Sequence, residues 1–189
     1  AMNELAKLSE PTLAKAADTT ASALLRGARG NSGVILSLLF RGMAKKLRET
    51  EAANGRDLAL ALREGVDTAY KAVMKPKEGT ILTVAKGMAN QALVLCDETT
   101  DLIAFCEGVV QEGDRVLAKT PDMLPVLKQA GVVDSGGQGL MQVMKGAFDA
   151  FLGKEIDFTL EASKESTVKE GSASSVDQEI KYGYCTEFI

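Results

Sequence analysis

The sequence contains no histidine and no tryptophan, and aromatic residues make up only 5% of it. Histidine is the commonest general base in enzymes and the commonest metal ligand. Its absence excludes Ser-His-Asp and Cys-His catalysis within this chain. Any catalysis by these residues must therefore use carboxylates, lysine or arginine side chains, or a bound metal.

Cysteine is also scarce. The three cysteines, Cys96, Cys106 and Cys185, form an odd number at spacings that match no disulfide or metal-binding pattern. We therefore predict free thiols in a reducing compartment, the cytoplasm. The first residues show no basic region followed by an apolar stretch, so we expect no export signal.

Long apolar runs and an excess of positive charge are missing as well. The longest apolar runs, such as residues 34–40, are far shorter than the roughly 20 residues of a membrane-spanning helix. The net charge of −4 argues against general binding to nucleic acids or membrane surfaces. What is present is the composition of a globular protein, with 46% hydrophobic and 25% charged residues.

Apolar residues recur at helical spacing between residues 11 and 153, and no segment in this range alternates convincingly like a strand. We predict an all-α fold in which about seven helices pack around a shared core. Pro11 is the expected first residue of the first helix, and Asp57 is the expected cap of the third. The predicted helices span approximately residues 11–26, 32–47, 57–74, 80–95, 99–116, 120–131 and 140–151.

The composition changes after Gly153. Residues 154–180 are predicted to be a flexible linker, because residues 161–180 are rich in Ser, Lys and Glu with almost no large apolar side chains. Residues 181–189 are aromatic and β-favouring, and we predict the first strand of a further domain there. An unpaired strand of this kind tends to pair with another sheet edge, which is one route to self-association.

Three loops place glycine and a hydroxyl or amide residue directly before a helix. They are Gly30–Gly33, Glu78–Thr80 and Asp134–Gly137. A helix N-terminus exposes unpaired N–H groups and carries partial positive charge, and glycine lets the backbone approach a phosphate closely. Each loop alone is explained at least as well by helix capping, but three together favour convergence of helix N-termini around a polyphosphate.

Individual residues of these loops leave alternatives open. Asn31 and Ser32 are good N-cap residues, and the apolar run after them predicts a helix whose N-terminus lies inside the protein. Arg29 either neutralises phosphate or lies on the surface. Asp134 either caps the last helix or holds a sugar, a base or a metal-bound water.

These loops carry a resemblance to a known family. Gly27–Ser37, Lys77–Thr83 and Gly131–Gly137 resemble, in the same order, three motifs of the bacterial DAK2-domain (YloV-like) family. This family includes the nucleotide-binding subunit of fatty acid kinase. The similarity covers about residues 11–153, and it extends more distantly to the nucleotide-binding L domain of dihydroxyacetone kinases.

The resemblance implies that residues 1–153 form a barrel of antiparallel helices holding ATP or ADP with Mg²⁺ at one end. It implies a kinase that phosphorylates a fatty acid held by a separate DegV-like binding protein, giving an acyl phosphate. Asn31 and Ser32 match the positions that contact the phosphates. The nine implied nucleotide-binding residues are Gly30, Asn31, Ser32, Gly33, Thr80, Ile81, Asp134, Ser135 and Gly136.

One family feature is missing from this sequence. Family members carry an Asp-Gly-Asp-Thr-Gly-like segment, whose aspartates hold Mg²⁺, ahead of the helix that matches residues 11–26. The acidic residues that precede the first glycine loop are Glu4, Glu10 and Asp18, and their spacing is not that of a ligand cluster. We therefore predict that the Mg²⁺ ligands and the family's first helix are absent, that the chain is a fragment or a late-start gene product, and that its kinase activity is impaired. Cys185 matches a family cysteine that resembles a metal ligand.

Two other functions fit the same residues. One is a non-enzymatic helical module that docks a partner, because a barrel without its first helix exposes an apolar groove that also favours self-association. The other is a dihydroxyacetone-type kinase subunit.

Overall fold

The computed structural model describes residues 1–9 and 12–154. All regular structure within these residues is helical, which confirms the all-α prediction. The helices are α1 (Met2–Leu5), α2 (Leu13–Gly27), α3 (Gly30–Leu47), α4 (Gly55–Ala72), α5 (Ile81–Glu98), α6 (Leu102–Ala118), α7 (Thr120–Met123), α8 (Pro125–Ala130) and α9 (Ser135–Phe151).

Consecutive long helices pack side by side. Short connections join α2 to α3, α3 to α4, α4 to α5 and α5 to α6, and each of these pairs is in contact. Helices joined by such short loops are antiparallel neighbours. Helix α9 then packs against both α5 and α6, so that α5 contacts α3, α4, α6 and α9.

Helix α5 is the centre of the core. Its first five residues, Ile81 to Ala85, are all buried, and Met88, Ala89 and Ala92 continue the buried face. Side chains of α3, α4, α6 and α9 pack against this face. The N-terminus of α5 is therefore held firmly by packing, and its position in turn fixes the residues that precede it.

The structure corrects several predicted helix starts. Helix α4 begins at Gly55, not Asp57: Asn54 is the N-cap, and Asp57 completes a capping box with it. The first predicted helix begins at Leu13 after the N-cap Thr12, and Pro11 lies outside the described residues.

The helix count also differs from the prediction. The predicted helix at 120–131 is two short helices, because Leu124 has an extended backbone before Pro125. The four-residue helix α1 was not predicted.

Several predictions concern other features of the chain. Cys96 and Cys106 are partly buried free thiols, as predicted. Within residues 1–9 and 12–154, no helix has the length and hydropathy needed to cross a bilayer. The predicted linker at 154–180, apart from its first residue, the predicted strand at 181–189 and Cys185 all lie outside the described residues.

Candidate functional site

Three helix N-termini meet at one cleft of about 340 Å³. This volume is within the range of small-molecule sites. The cleft is lined by residues from the first turns of α3, α5 and α9 and by residues one turn further along α3 and α9. They are Ser32, Gly33, Leu36, Ile81, Ser135, Gly136, Gly139 and Leu140.

Residues of the three sequence motifs lie close together around Gly136. A Cβ atom added to Gly136 would lie 3.0 Å from Ser32 Oγ and 3.4 Å from Ile81 Cβ. Ser32, Ile81 and Gly136 each lie about fifty residues from the next along the chain. The fold therefore brings five of the nine predicted nucleotide-binding residues, Ser32, Gly33, Ile81, Ser135 and Gly136, to one cleft.

Helix capping distinguishes two of the three N-termini at this cleft from those of the other long helices. Among the six long helices of the described part, α2, α4, α6 and α9 are capped by a side chain that accepts from a first-turn N–H. Helices α3 and α5 make no such side-chain cap. Both uncapped helices begin at the cleft. Neither N-cap residue, Arg29 nor Thr80, caps its helix with its side chain, and the first-turn N–H groups carry the partial positive charge of a helix start.

The first turn of α3 corrects two predictions. The helix begins at Gly30, which has a left-handed backbone (φ 67°), so Asn31 and Ser32 lie inside the first turn and are not N-caps. Both residues are exposed, so the N-terminus does not lie inside the protein as predicted. The physical reason is that these small polar residues offer little apolar area to bury; Ser32 lines the cleft, and Asn31 is not among its lining residues.

Arg29 occupies the N-cap position of α3, but its side chain makes no capping hydrogen bond. Its Nη1 donates to the carbonyl oxygen of Ala28 at 2.8 Å, and the residue is exposed. The Arg29 side chain thus lies on the surface, and its neutralising a phosphate stays a prediction.

The turn before α5 is built around a buried glycine. Gly79 has φ 82°, a conformation that residues with a side chain rarely adopt. Thr80 occupies the N-cap position, but its hydroxyl donates to the carbonyl oxygen of Lys77 at 2.9 Å and does not cap the helix. Ile81 reaches the cleft, whereas Thr80 is not among its lining residues.

Asp134 caps α9. Its Oδ2 accepts from the N–H of Gly137 at 2.7 Å, and the helix begins at Ser135, five residues earlier than predicted. Because the cap lies upstream, Ser135, Gly136 and Gly137 enter the helix as its first turn. The carboxylate of Asp134 therefore has the capping role, the first of the alternatives considered for it.

Sequence reasoning missed three residues of the cleft: Leu36, Gly139 and Leu140. Leu36 and Gly139 follow Ser32 and Ser135 by four residues, and residues at this spacing share one helix face. The four-residue spacing could have identified Leu36 and Gly139 from the sequence, but only if the start of each helix had been known.

The cleft is lined by uncharged residues. Within the described ranges, no group of three or more Asp, Glu, Cys or His residues is placed to hold a metal ion. The helix N-termini at the cleft favour an anion, whereas the Asp134 carboxylate beside Gly136 opposes one.

A larger cleft of about 640 Å³ lies between α2, α3 and α4 and is lined in part by Arg41, Lys45 and Arg48. Its charges are largely neutralised within the chain. Arg48 pairs with Asp18 at 3.3 Å, and Lys45 pairs with Glu64 at 2.8 Å. Such exposed ion pairs are typical of a solvated surface, so size alone does not make this cleft the better candidate.

Comparison with known proteins identifies the family. The family described as "DAK2 domain" matches residues 1–149. Protein YloV of Bacillus subtilis is 42% identical over 192 residues, covering 98% of this chain and 35% of that protein. An uncharacterized protein of Staphylococcus saprophyticus is 48% identical over 177 residues, covering 90% of this chain and 32% of its own length.

A third relative, an uncharacterized protein of Staphylococcus haemolyticus, is 46% identical over 179 residues, covering 90% of this chain and 32% of its own. The chain thus spans about a third of the length of these relatives. The family match covers most of the chain and includes all three glycine motifs that line the cleft. The chain therefore belongs to the DAK2-domain family, which is related to the dihydroxyacetone kinases.

Proposed function

We propose that this chain is the ATP-binding domain of a kinase and that the cleft at the starts of α3, α5 and α9 receives the nucleotide phosphates. One observation carries the proposal: the two long helices without a side-chain cap both begin at this cleft, beside the start of α9. First-turn N–H groups and the helix dipoles suit a polyphosphate. Ser32 and Ser135 add hydroxyl donors at the same place.

The residues of the cleft have different roles in the proposed binding. Gly33 and Gly136 allow the phosphates close to the backbone, Ile81 supplies an apolar wall, and the two serine hydroxyls donate hydrogen bonds. Bound ATP supplies the phosphoryl group to be transferred. We further propose the cytoplasm as the location, where ATP is available and free thiols such as Cys96 and Cys106 stay reduced.

Among the described residues, no group of three or more acidic or thiol side chains is placed to hold Mg²⁺. Asp134, the acidic residue beside the cleft, already accepts from Gly137 N. Kinases neutralise the charge of the transferring phosphoryl group with Mg²⁺. We therefore propose that this chain binds nucleotide but transfers its phosphate poorly by itself.

We propose a fatty acid as the phosphate acceptor, held by a separate DegV-like protein and converted to an acyl phosphate. This part of the proposal depends on the resemblance of the three glycine motifs to fatty acid kinase. A direct test mixes the chain, lipid-loaded partner and Mg-ATP and measures acyl phosphate. Phosphorylation of dihydroxyacetone in place of the fatty acid would favour the other kinase type.

Ser32→Ala and Asp134→Ala should have different effects. Ser32 does not cap a helix, so its loss should leave stability unchanged and weaken ADP binding about threefold to tenfold, the equivalent of about 0.5–1.5 kcal/mol for a hydrogen bond. Asp134 caps α9, so its loss should lower the free energy of unfolding by about 1 kcal/mol. Calorimetric titration with ADP and urea unfolding measure the two effects.

Ser22→Ala is the matched control, since Ser22 is an exposed serine on α2 that lines the other cleft. It should change neither property. If Ser32→Ala lowers stability while ADP affinity is unchanged, Ser32 has only a structural role and the nucleotide proposal loses its main support.

Docking of a partner is a second candidate function, and an apolar groove between α4, α6 and α9 favours it. The groove has a volume of about 190 Å³ and includes Leu62, Phe105, Phe148 and Phe151, of which Phe151 is 53% exposed. If the wild-type chain binds no ADP but forms a complex or self-associates in light scattering, docking is the better account. Pairing through the terminal strand concerns residues outside the described part.

A further inference from the structure

We propose that Thr83 and Thr120 are positioning residues of the candidate nucleotide site, each fixing the start of one helix at the cleft. The inference rests on the proposed nucleotide binding and adds to it two residues that do not line the cleft. Both threonines are buried, with exposed fractions of 8% and 0%. Each hydroxyl accepts from a backbone N–H at the entrance of a helix and donates to a second oxygen.

Thr83 fixes the turn before α5. Its Oγ1 accepts from the N–H of Gly79 at 2.9 Å and donates to Glu78 Oε2 at 2.7 Å. Thr83 is the third residue of α5, so these bonds tie the turn back onto the helix that it precedes. The Thr80 hydroxyl does not cap α5, whereas the Thr83 hydroxyl bonds the backbone of this turn to the helix.

The acceptor Glu78 is itself held in place from two helices. Tyr70 of α4 donates to Glu78 Oε1 at 3.5 Å, and Lys86 of α5 lies 3.7 Å from the same oxygen. The Lys86 ammonium also lies 5.6 Å from the centre of the Tyr70 ring. Burial and the Glu78 carboxylate raise the pKa of Tyr70, so its hydroxyl stays a donor at neutral pH.

Thr120 fixes the approach to α9 in the same way. Its Oγ1 donates to the carbonyl oxygen of Leu117 at 2.7 Å and accepts from the N–H of Asp134 at 3.1 Å. Asp134 is the cap of α9, so Thr120 connects the end of α6 to the cap of the helix that carries Ser135 and Gly136.

Gly79 lies next to both threonines: its N–H donates to Thr83, and its Cα faces the carbonyl oxygen of Thr120. A Cβ atom added there would lie 3.1 Å from the carbonyl oxygen of Thr120, 3.0 Å from Met123 Cβ and 3.1 Å from Leu124 Cβ. The turn before α5 thus packs directly on the segment that Thr120 anchors. Loss of either hydroxyl should let one helix start move relative to the other two, and phosphate binding depends on their alignment.

The experiment compares threonine with valine and serine. Valine keeps the shape and removes the hydroxyl, whereas serine keeps the hydroxyl. Calorimetric titration with ADP should show affinity at least about fivefold weaker for Thr83→Val and Thr120→Val, the cost of one misplaced hydrogen-bonded group. Thr83→Ser and Thr120→Ser should bind within about twofold of the wild type because their hydroxyl is retained.

Thr20→Val is the matched control. The Thr20 hydroxyl donates to the Ala16 carbonyl oxygen at 2.8 Å within α2 and has no link to the cleft. Circular dichroism first establishes that each variant is folded at the titration temperature. Should a valine variant fail to fold, Glu78→Ala removes the acceptor of Thr83 from a side chain that is 55% exposed, and about threefold weaker binding is expected.

The outcomes separate the two proposals. Wild-type affinity in the valine variants, or equal losses in the valine and serine variants, overturns the positioning role alone. Absence of ADP binding by the wild-type chain overturns the proposed nucleotide site and this inference with it. Weaker binding by valine, restored by serine and absent from Thr20→Val, supports the inference.

Discussion

Gly42→Ala is expected to lower the free energy of unfolding by about 2 kcal/mol, the net of a steric cost and a smaller helix-propensity gain. Gly42 lies in α3 at the crossing with α4. A Cβ atom there would be 2.5 Å from the carbonyl oxygen of Glu64, 2.6 Å from the Gly65 Cα and 2.7 Å from Thr68 Oγ1. Two of these are backbone atoms, which cannot rotate away, so α4 itself must move.

Helix propensity has the opposite sign. Alanine is favoured over glycine inside a helix by about 1 kcal/mol. Overpacking costs about 1–3 kcal/mol and more when the obstacle is backbone, so the steric term should win. Because α4 carries much of the core against α5, the shift should spread beyond the crossing.

Gly146→Ala provides the matched control, since Gly146 lies in α9 and an added Cβ would meet no packed neighbour within 4 Å in the described part of the chain. It should raise stability by up to about 1 kcal/mol, the propensity term alone. Urea unfolding at 25 °C measures both variants. An unfolding midpoint of Gly42→Ala at or above that of the wild type would show that α3 and α4 are not as close as described.

Gly136→Val is expected to weaken ADP binding about thirtyfold, equivalent to about 2 kcal/mol, the middle of the usual cost of overpacking. The added Cβ would lie 3.0 Å from Ser32 Oγ, 3.2 Å from Asp134 Oδ2 and 3.4 Å from Ile81 Cβ. The Ser32 hydroxyl can rotate away, the Asp134 carboxylate needs to shift only slightly, and Ile81 Cβ already lies at an ordinary van der Waals distance. The folded protein should therefore tolerate the change, while the two methyl groups occupy the space between the three helix starts.

Gly146→Val separates this effect from the cost of valine in a helix. It places the same side chain in the same helix, α9, at a position where an added Cβ meets no packed neighbour within 4 Å among residues 1–9 and 12–154. Gly146→Val should bind ADP as the wild type does. Retention of affinity in Gly136→Val would mean that the phosphates do not approach the backbone at Gly136.

The sequence was sufficient to predict the fold class, because apolar residues at helical spacing continue through residues 11–153. It was less reliable at the helix starts that form the site. Gly30–Gly33 and Ser135–Gly137 resemble loops by composition, yet both form first turns of helices. The difference for α9 is the cap at Asp134, which satisfies a first-turn N–H before the glycines begin.

The convergence of the three motifs was expected from their shared design and family resemblance, not from local pattern. The geometry of the motifs depends on how α3, α5 and α9 pack. The motifs lie about fifty residues apart in the chain, so the sequence around each one does not specify this packing. The roles of Thr83 and Thr120 could not be predicted from the sequence. A buried threonine at a core position differs from a buried valine only through the hydrogen bonds that the fold provides.

The most direct test of the nucleotide cleft is an NMR titration of the chain with ADP that follows every backbone amide. We predict saturable shifts that are largest at residues 31–33, 81–82 and 135–137, the first turns of α3, α5 and α9. Shifts confined to the cleft of Arg41, Lys45 and Arg48, or no saturable shift at the three helix starts, would contradict the account.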